Sequence, residues 1–435
     1  MNALTELVEL SDMEKKSRGL EYTPAEIARQ PLAWKKTCAV IKAQKDDLAA
    51  FLRRHVSRGA FGTCGTCGIS GTSGISGTSG SSGAGPVHMV GAGTSHYIGE
   101  SVRHLLTSAW GRPAWPIPST ELILSPETWL AADARLMISF ARSGQSPEGN
   151  AAVKLALRER PSLPHLAVTC NAHGELASIV RELDNSKGYA LVLPEMTNDR
   201  GLAMTSSYSS MVVAAQALTE IENLERYQDV VAGLSEAAAY VLASYADTAR
   251  ALAQLDFDRI LYIGNRDLYG VSLEAHLKMQ EMTGGLVIGK AESTLGVRHG
   301  PLAALNEQTM VVMFLSGNPQ VRRYEMDLLK EIHELKIAQK LVAVVAEANA
   351  EIEKYADTMV ELTPPALKAH AQFLLSDRYV APVSILFPQM LALFKSMAVG
   401  LQPDNPSPKG VINRVVKGVR IYGLEENGTE AECHA

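Results

Sequence analysis

The sequence predicts an α/β fold in which two parallel sheets are covered by helices and preceded by a short helical segment. Three observations predict it. After residue 86, short apolar runs alternate with helical stretches: "VHMVGAG", "IGESVRHLLTSAW", "ARLMISFARSG", "EGNAAVKLALRER" and "HLAVTC". Strands alternating with helices imply crossovers that cover a parallel sheet on both faces. The rhythm also occurs twice. "VHMVGAG" resembles "ILYIGNR" and "MISFARSG" resembles "VVMFLSG"; Gly91 to Gly264 and Gly144 to Gly317 are both 173 residues apart. "HLAVTC" and "KLVAVVA" fall at about the same offset. An internal duplication accounts for this, against a chance match of short strand patterns. Finally, 435 residues at 46% hydrophobic and 20% charged can bury the cores of two or three domains.

The expected organisation is a helical segment over 1–60, an insertion over 61–86, a first α/β domain over 87–215, a second over 216–400 and a tail over 401–435. "TPAEIARQPLAW" reads as a helix start, with Thr23 as N-cap, Pro24 at the first helical position and Glu26 closing a capping box. After Pro31, "LAWKKTCAVIKAQKDDLAAFLRRHV" reads as one amphipathic helix ended by Gly59. From Gly62 to Gly83, glycine occupies every third position, with Ser, Thr, Cys and Ile filling the positions between and no proline. That excludes collagen. The repeat precedes the first strand, at the end of the sheet opposite the ligand-binding end, which argues against a phosphate cradle. Cys64 and Cys67 have the spacing of half a metal site but no second pair nearby. What remains is a flexible insertion spanning roughly 25–30 Å. Helices from about Ser206 to Leu255 would join the two halves. "YVAPVSILFPQMLALF" carries Pro382, Pro388 and Gln389, which fits a buried helix better than a membrane span.

The formal charge is −6 with no basic stripe, so no nucleic-acid partner is expected. The start "MNALTELVELSDMEKK" has no basic region followed by an apolar core. Five cysteines, an odd count in a large chain, fit reduced thiols in a cytoplasm. No metal, organic cofactor or membrane partner is expected.

Three turns of the first half are rich in hydroxyls. "GAGTSHYIG" supplies Thr94 and Ser95; "ARSGQSPEG" supplies Ser143, Gln145 and Ser146; "DRGLAMTSSYSS" supplies Thr205, Ser206 and Ser207. A phosphate monoester presents three accepting oxygens, and hydroxyls with backbone N–H groups at strand ends satisfy them without metal. Each turn alone is equally explained by helix capping. A dinucleotide site fits poorly, because Gly91 and Gly93 are followed by Gly99, six positions on rather than three. In the second half, Glu274, Lys278 and Glu281 at i, i+4 and i+7 share one helical face, which spacing alone also allows to be a solvated ion-paired face. His299 sits in an apparent loop before Pro301, a position commonly structural or solvent-exposed.

"GAGTS", "ARSGQSPEG", "LEAHLKMQE" and "VRHGPLAAL" together resemble the sugar isomerase (SIS) family in its double-domain form, whose domains are flavodoxin-like. The isomerase half of glucosamine-6-phosphate synthase is similar. The tagatose-6-phosphate ketose/aldose isomerases, also described as galactosamine-6-phosphate deaminases, are more so, given "TPAEIARQPLAW" and "NRVVKGVRIYG". The likeness covers roughly Thr23 to Gly423 apart from the glycine repeat. It implies Glu281 as the base that moves a proton between C1 and C2. It implies His299, donated by a neighbouring subunit, as the ring-opening residue. Lys278 and Glu274 match further polar positions of the helix, and Lys417 matches a tail lysine lying over the site. Ser95, Ser143, Ser146 and Thr205 match the phosphate cradle, beside Thr94, Gln145 and Ser206. Ala141 replaces a cradle serine, Arg142 follows it, and Asn413 replaces a tail arginine. The expected reaction is galactosamine 6-phosphate to tagatose 6-phosphate and ammonia, in a homodimer or higher homo-oligomer. The alternatives are isomerisation without deamination, or a sensor that binds sugar phosphate without turnover.

Overall fold

The computed structural model describes residues 1–56, 85–416 and 418–422. The glycine repeat up to residue 84, with Cys64 and Cys67, lies outside the described residues, as does Lys417.

The first sheet holds β1 (Val87–Gly91), β2 (Ala114–Pro118), β3 (Leu136–Ala141), β4 (His165–Thr169) and β5 (Gly188–Val192). The second holds β6 (Arg259–Ile263), β7 (Ile288–Glu292), β8 (Thr309–Leu315), β9 (Lys340–Val345) and β10 (Thr358–Glu361). Every pairing is parallel. The orders are β2-β1-β3-β4-β5 and β7-β6-β8-β9-β10, so both sheets run through one topology. β1, β4 and β8 are buried along their whole length, as helices on both faces require. β2 is an edge strand carrying Pro116 and Pro118, which an edge tolerates because one side of it needs no donors. In each sheet the chain reverses direction between its first and third strands, the place where an open sheet leaves a crevice at the strand carboxyl ends.

Helix Leu224–Ala253 joins the sheets; at 30 residues it is about 45 Å long. It packs between helices Gln30–Ala43 and Leu386–Ala398. A single apolar core therefore runs from Trp34 and Ile41 through Leu234 and Val241 to Leu391. The stretch Ala381–Ala398 has the length and apolarity of a membrane span, but 89% of it is buried inside the protein, as the sequence leads one to expect.

Two local expectations are corrected. The predicted long helix is two, Gln30–Ala43 and Lys45–Val56, broken at Gln44. The capping box at Thr23 does not form: helix Thr23–Ala28 has Tyr22 as N-cap and no side-chain cap. The Thr23 N–H and hydroxyl both donate to Asp404 Oδ1 at 2.7 Å. The Glu26 carboxylate accepts instead from the backbone of Arg200 (2.6 Å) and Gly201 (3.4 Å). Long-range partners won over the local motif.

Candidate active site

Helix Asp267–Met282 of the second half lies on helix Thr94–Glu100 of the first. Gly270 lets them meet: a Cβ there would stand 2.3 Å from the Ser101 backbone nitrogen. This contact aims the predicted face inward. Glu274 and Lys278 are fully buried, and the Glu281 side chain is 23% exposed, so the solvated-face alternative is excluded. Lys278 Nζ contacts the Glu281 carboxylate, lies 3.5 Å from Glu274 Oε1, and donates to Thr94 Oγ1 at 3.1 Å. Burial, partly opposed by Lys278, pushes the Glu274 carboxyl up to about 8. For Lys278, burial pulls downward, but the two carboxylates outweigh it and the net shift is upward. At neutral pH burial therefore favours a protonated Glu274 beside the Lys278 ammonium, which spares the buried site a charge.

Beside this trio a pocket of about 140 Å³ opens at the carboxyl ends of β1, β2 and β3. Ser95, Ser143 and Ser146 line it, as expected. Ser146 also N-caps helix Pro147–Glu159, accepting from Gly149 N–H at 3.4 Å. Gly144, with φ +62°, turns the chain between them.

Other expected cradle residues are placed differently. Thr94 is not in the pocket wall and holds Lys278. Gln145 is exposed and reaches toward His173 O. Thr205 and Ser206 are fully buried and bind the Asp199 carboxylate, Thr205 through its N–H at 2.8 Å and Ser206 through its hydroxyl. The cause is Asp199: a buried carboxylate needs donors, and this helix start supplies four. Exposed His299 forms no hydrogen bond or ion pair with Glu281.

The sequence reading passed over four pocket residues. Ser119 and Ser139 line the pocket, and their buried hydroxyls have no hydrogen-bond partner. Ser119 follows β2, whose prolines hide a strand end that would otherwise have flagged it. Arg142, noted only as a departure, is the buried cation of the pocket. Its guanidinium donates to Gly201 O (3.2 Å), Leu202 O (2.9 Å) and Arg414 O (2.7 Å). Burial and the neighbouring Arg414 lower its pKa, while Asp199, Glu281 and Glu26 oppose the shift. Arg414, from the tail, also lines the pocket and donates to Asp199 O and Asn198 Oδ1. Two arginines and unpartnered hydroxyls suit a dianionic group. Among the described residues no cluster of His, Cys, Asp and Glu could hold a metal ion.

Two five-stranded parallel sheets of one order, with a hydroxyl- and arginine-lined pocket beside a buried Glu–Lys–Glu trio, define the class: phosphosugar isomerases of the SIS fold. The C-terminal domain of glucosamine-fructose-6-phosphate aminotransferase from Francisella tularensis shares the fold, with a TM-score of 0.67 at 16% identity over 91% of this chain and all of that one. The tagatose-6-phosphate ketose/aldose isomerase from Escherichia coli superposes with a TM-score of 0.76 at 29% identity over 93% of this chain and 97% of that one. In sequence, the D-galactosamine-6-phosphate deaminase AgaS of Escherichia coli O157:H7 is 32% identical over 92% of this chain and 95% of its own length. A protein of Streptomyces coelicolor provisionally given the same name is 35% identical over 93% and 96%. No protein-family model matches the sequence. The chain belongs to the AgaS family of galactosamine-6-phosphate deaminases and tagatose-6-phosphate isomerases.

Proposed function

We propose that the protein converts galactosamine 6-phosphate and water to tagatose 6-phosphate and ammonia. The observation that carries this is the Glu274–Lys278–Glu281 trio beside a pocket with two arginines and unpartnered serine hydroxyls.

In this reading Ser95, Ser143 and Ser146, with Arg142, hold the phosphate. Ring opening exposes the C1 aldehyde. Glu281 removes the C2 proton and returns it to C1, leaving a C2 iminium that water hydrolyses to the ketone and ammonia. Lys278, in contact with Glu281, steadies the oxygen that gains charge at C1. Glu274, held neutral, avoids a second negative charge beside the base. His299 opens the ring from a neighbouring subunit, in keeping with its exposure and its lack of a bond to Glu281. Cys38 and Cys170 are free and buried, which suits work in the cytoplasm.

The structural relative is named an isomerase, so isomerisation of an unaminated sugar phosphate is the second reading. Ammonia and ketose assays with galactosamine, glucosamine, galactose and glucose 6-phosphates separate the two. The proposal expects ammonia from the galacto amino sugar. Ketose without ammonia favours the plain isomerase, and binding with neither product favours a sensor.

A further inference from the structure

The second sheet has its own crevice, at the carboxyl ends of β6, β8 and β9. It is a cavity of about 620 Å³ lined by Arg266, Arg322 and Arg378. Arg266 stands 173 residues after Gly93, the same offset that relates the two halves. Both have the same backbone: φ 54°, ψ −126° at Gly93 and φ 56°, ψ −129° at Arg266. Glycine adopts this conformation freely, whereas any other residue carries about 1–3 kcal/mol of strain. Arg266 makes no close ion pair among the described residues, although its charge acts on the neighbouring buried Asp267 carboxyl, and it is exposed at the cavity. A strained, unpaired cation in a crevice is unexplained by the fold.

The interior of this crevice already favours an anion. Asp377 accepts from the Ser316 hydroxyl and from Gly317 N–H at 2.7 Å. Ser316 and Gly317 are the counterparts, at the same offset, of Ser143 and Gly144 in the first half. Thus the chain's own carboxylate sits where the first half presents a pocket. The other acidic groups are accounted for or peripheral. Glu325 pairs with Arg322, Glu220 pairs with Arg378, and Glu347 stands at the wall.

We propose that this cavity binds a second phosphate monoester, separate from the one in the first pocket, held by Arg266, Arg322 and Arg378 in competition with Asp377. That it takes an anion follows from Arg266, which makes no ion pair among the described residues, whereas Arg322 and Arg378 already pair with Glu325 and Glu220; that the anion is a phosphate monoester rests on the reading of the first pocket.

Calorimetric titration of the full chain with tagatose 6-phosphate tests this, using the Glu281→Gln background so that no turnover intervenes. Two binding events per chain are expected. Arg266→Gly should weaken one of them about tenfold or more, as loss of a charge-assisted contact does. The same change should raise the melting temperature by roughly 1–3 °C, because the backbone strain is relieved. Asp377→Asn should tighten that event, and Ser143→Ala should weaken only the other. A single event per chain, or an Arg266→Gly variant that binds normally or melts lower, overturns the proposal. Loss of the Ser143-sensitive event alone, with the Arg266-sensitive event kept, would overturn the reading of the first pocket and leave the second site standing.

Discussion

Lys278 Nζ donates to Thr94 Oγ1 at 3.1 Å, joining residues 184 positions apart. This bond ties the helix carrying Glu274, Lys278 and Glu281 in one half to the turn beside the pocket of the other. Thr94→Val keeps the shape and removes the acceptor, leaving a fully buried ammonium short of one partner. We expect a loss of about 1–3 kcal/mol in stability. We also expect a kcat that falls more than KM rises, because the misplaced group serves the proton transfer. Denaturant unfolding and steady-state kinetics check both.

Stability should depend on pH through Glu274. Burial raises its folded pKa to about 8, well above its unfolded value. Between those values the folded state binds the extra proton, so stability falls as pH rises from about 4.5 toward 8. Glu26 is likewise pushed up to about 8, by burial and then by Asp199, and acts in the same direction. Glu274→Gln should flatten part of this fall, matching the wild type near pH 5 and exceeding it near pH 9. Unfolding midpoints across that range decide it; a parallel fall in the variant contradicts the assignment.

Much of the fold was legible because strand and helix periods differ and the pattern recurs at a fixed offset. β2 was not, because Pro116 and Pro118 mask an edge strand. The helix carrying Glu274, Lys278 and Glu281 was legible as one face, but spacing cannot tell a buried face from a wet one; Gly270 and the opposing helix decide that. The Thr205–Ser206 turn misled because its hydroxyls serve Asp199, an in-chain anion six or seven positions away, rather than a ligand. Arg142, Arg414 and Glu26 could not be read locally, since each acts through contacts more than 50 residues distant.

In the proposed reaction Glu26 would act as a positioning residue. It accepts from the backbone of Arg200 and Gly201, and the carbonyls of Gly201 and Leu202 in turn fix Arg142. Glu26→Ala should raise KM for the sugar phosphate about tenfold with kcat changed little, since the lost contact serves binding. Glu26→Gln, which keeps a shape able to accept, should recover part of the affinity. A drop in kcat alone would contradict this chain of contacts.

If His299 serves the neighbouring subunit, two inactive variants should rescue each other. Mixing and reassembling Glu281→Gln with His299→Asn would leave roughly a quarter of the sites intact in a randomly paired dimer. Activity measured on cyclic substrate should rise toward that fraction. No recovery after demonstrated subunit exchange would place His299 outside a shared site.

Glu281 is proposed as the base of a galactosamine-6-phosphate deaminase. Ammonia release from galactosamine 6-phosphate, compared between the wild type and Glu281→Gln, tests it most directly. The account predicts ammonia from the wild type and turnover lower by about 10²–10⁴-fold in the variant, with sugar-phosphate binding retained. Near-normal ammonia release from the variant would contradict it.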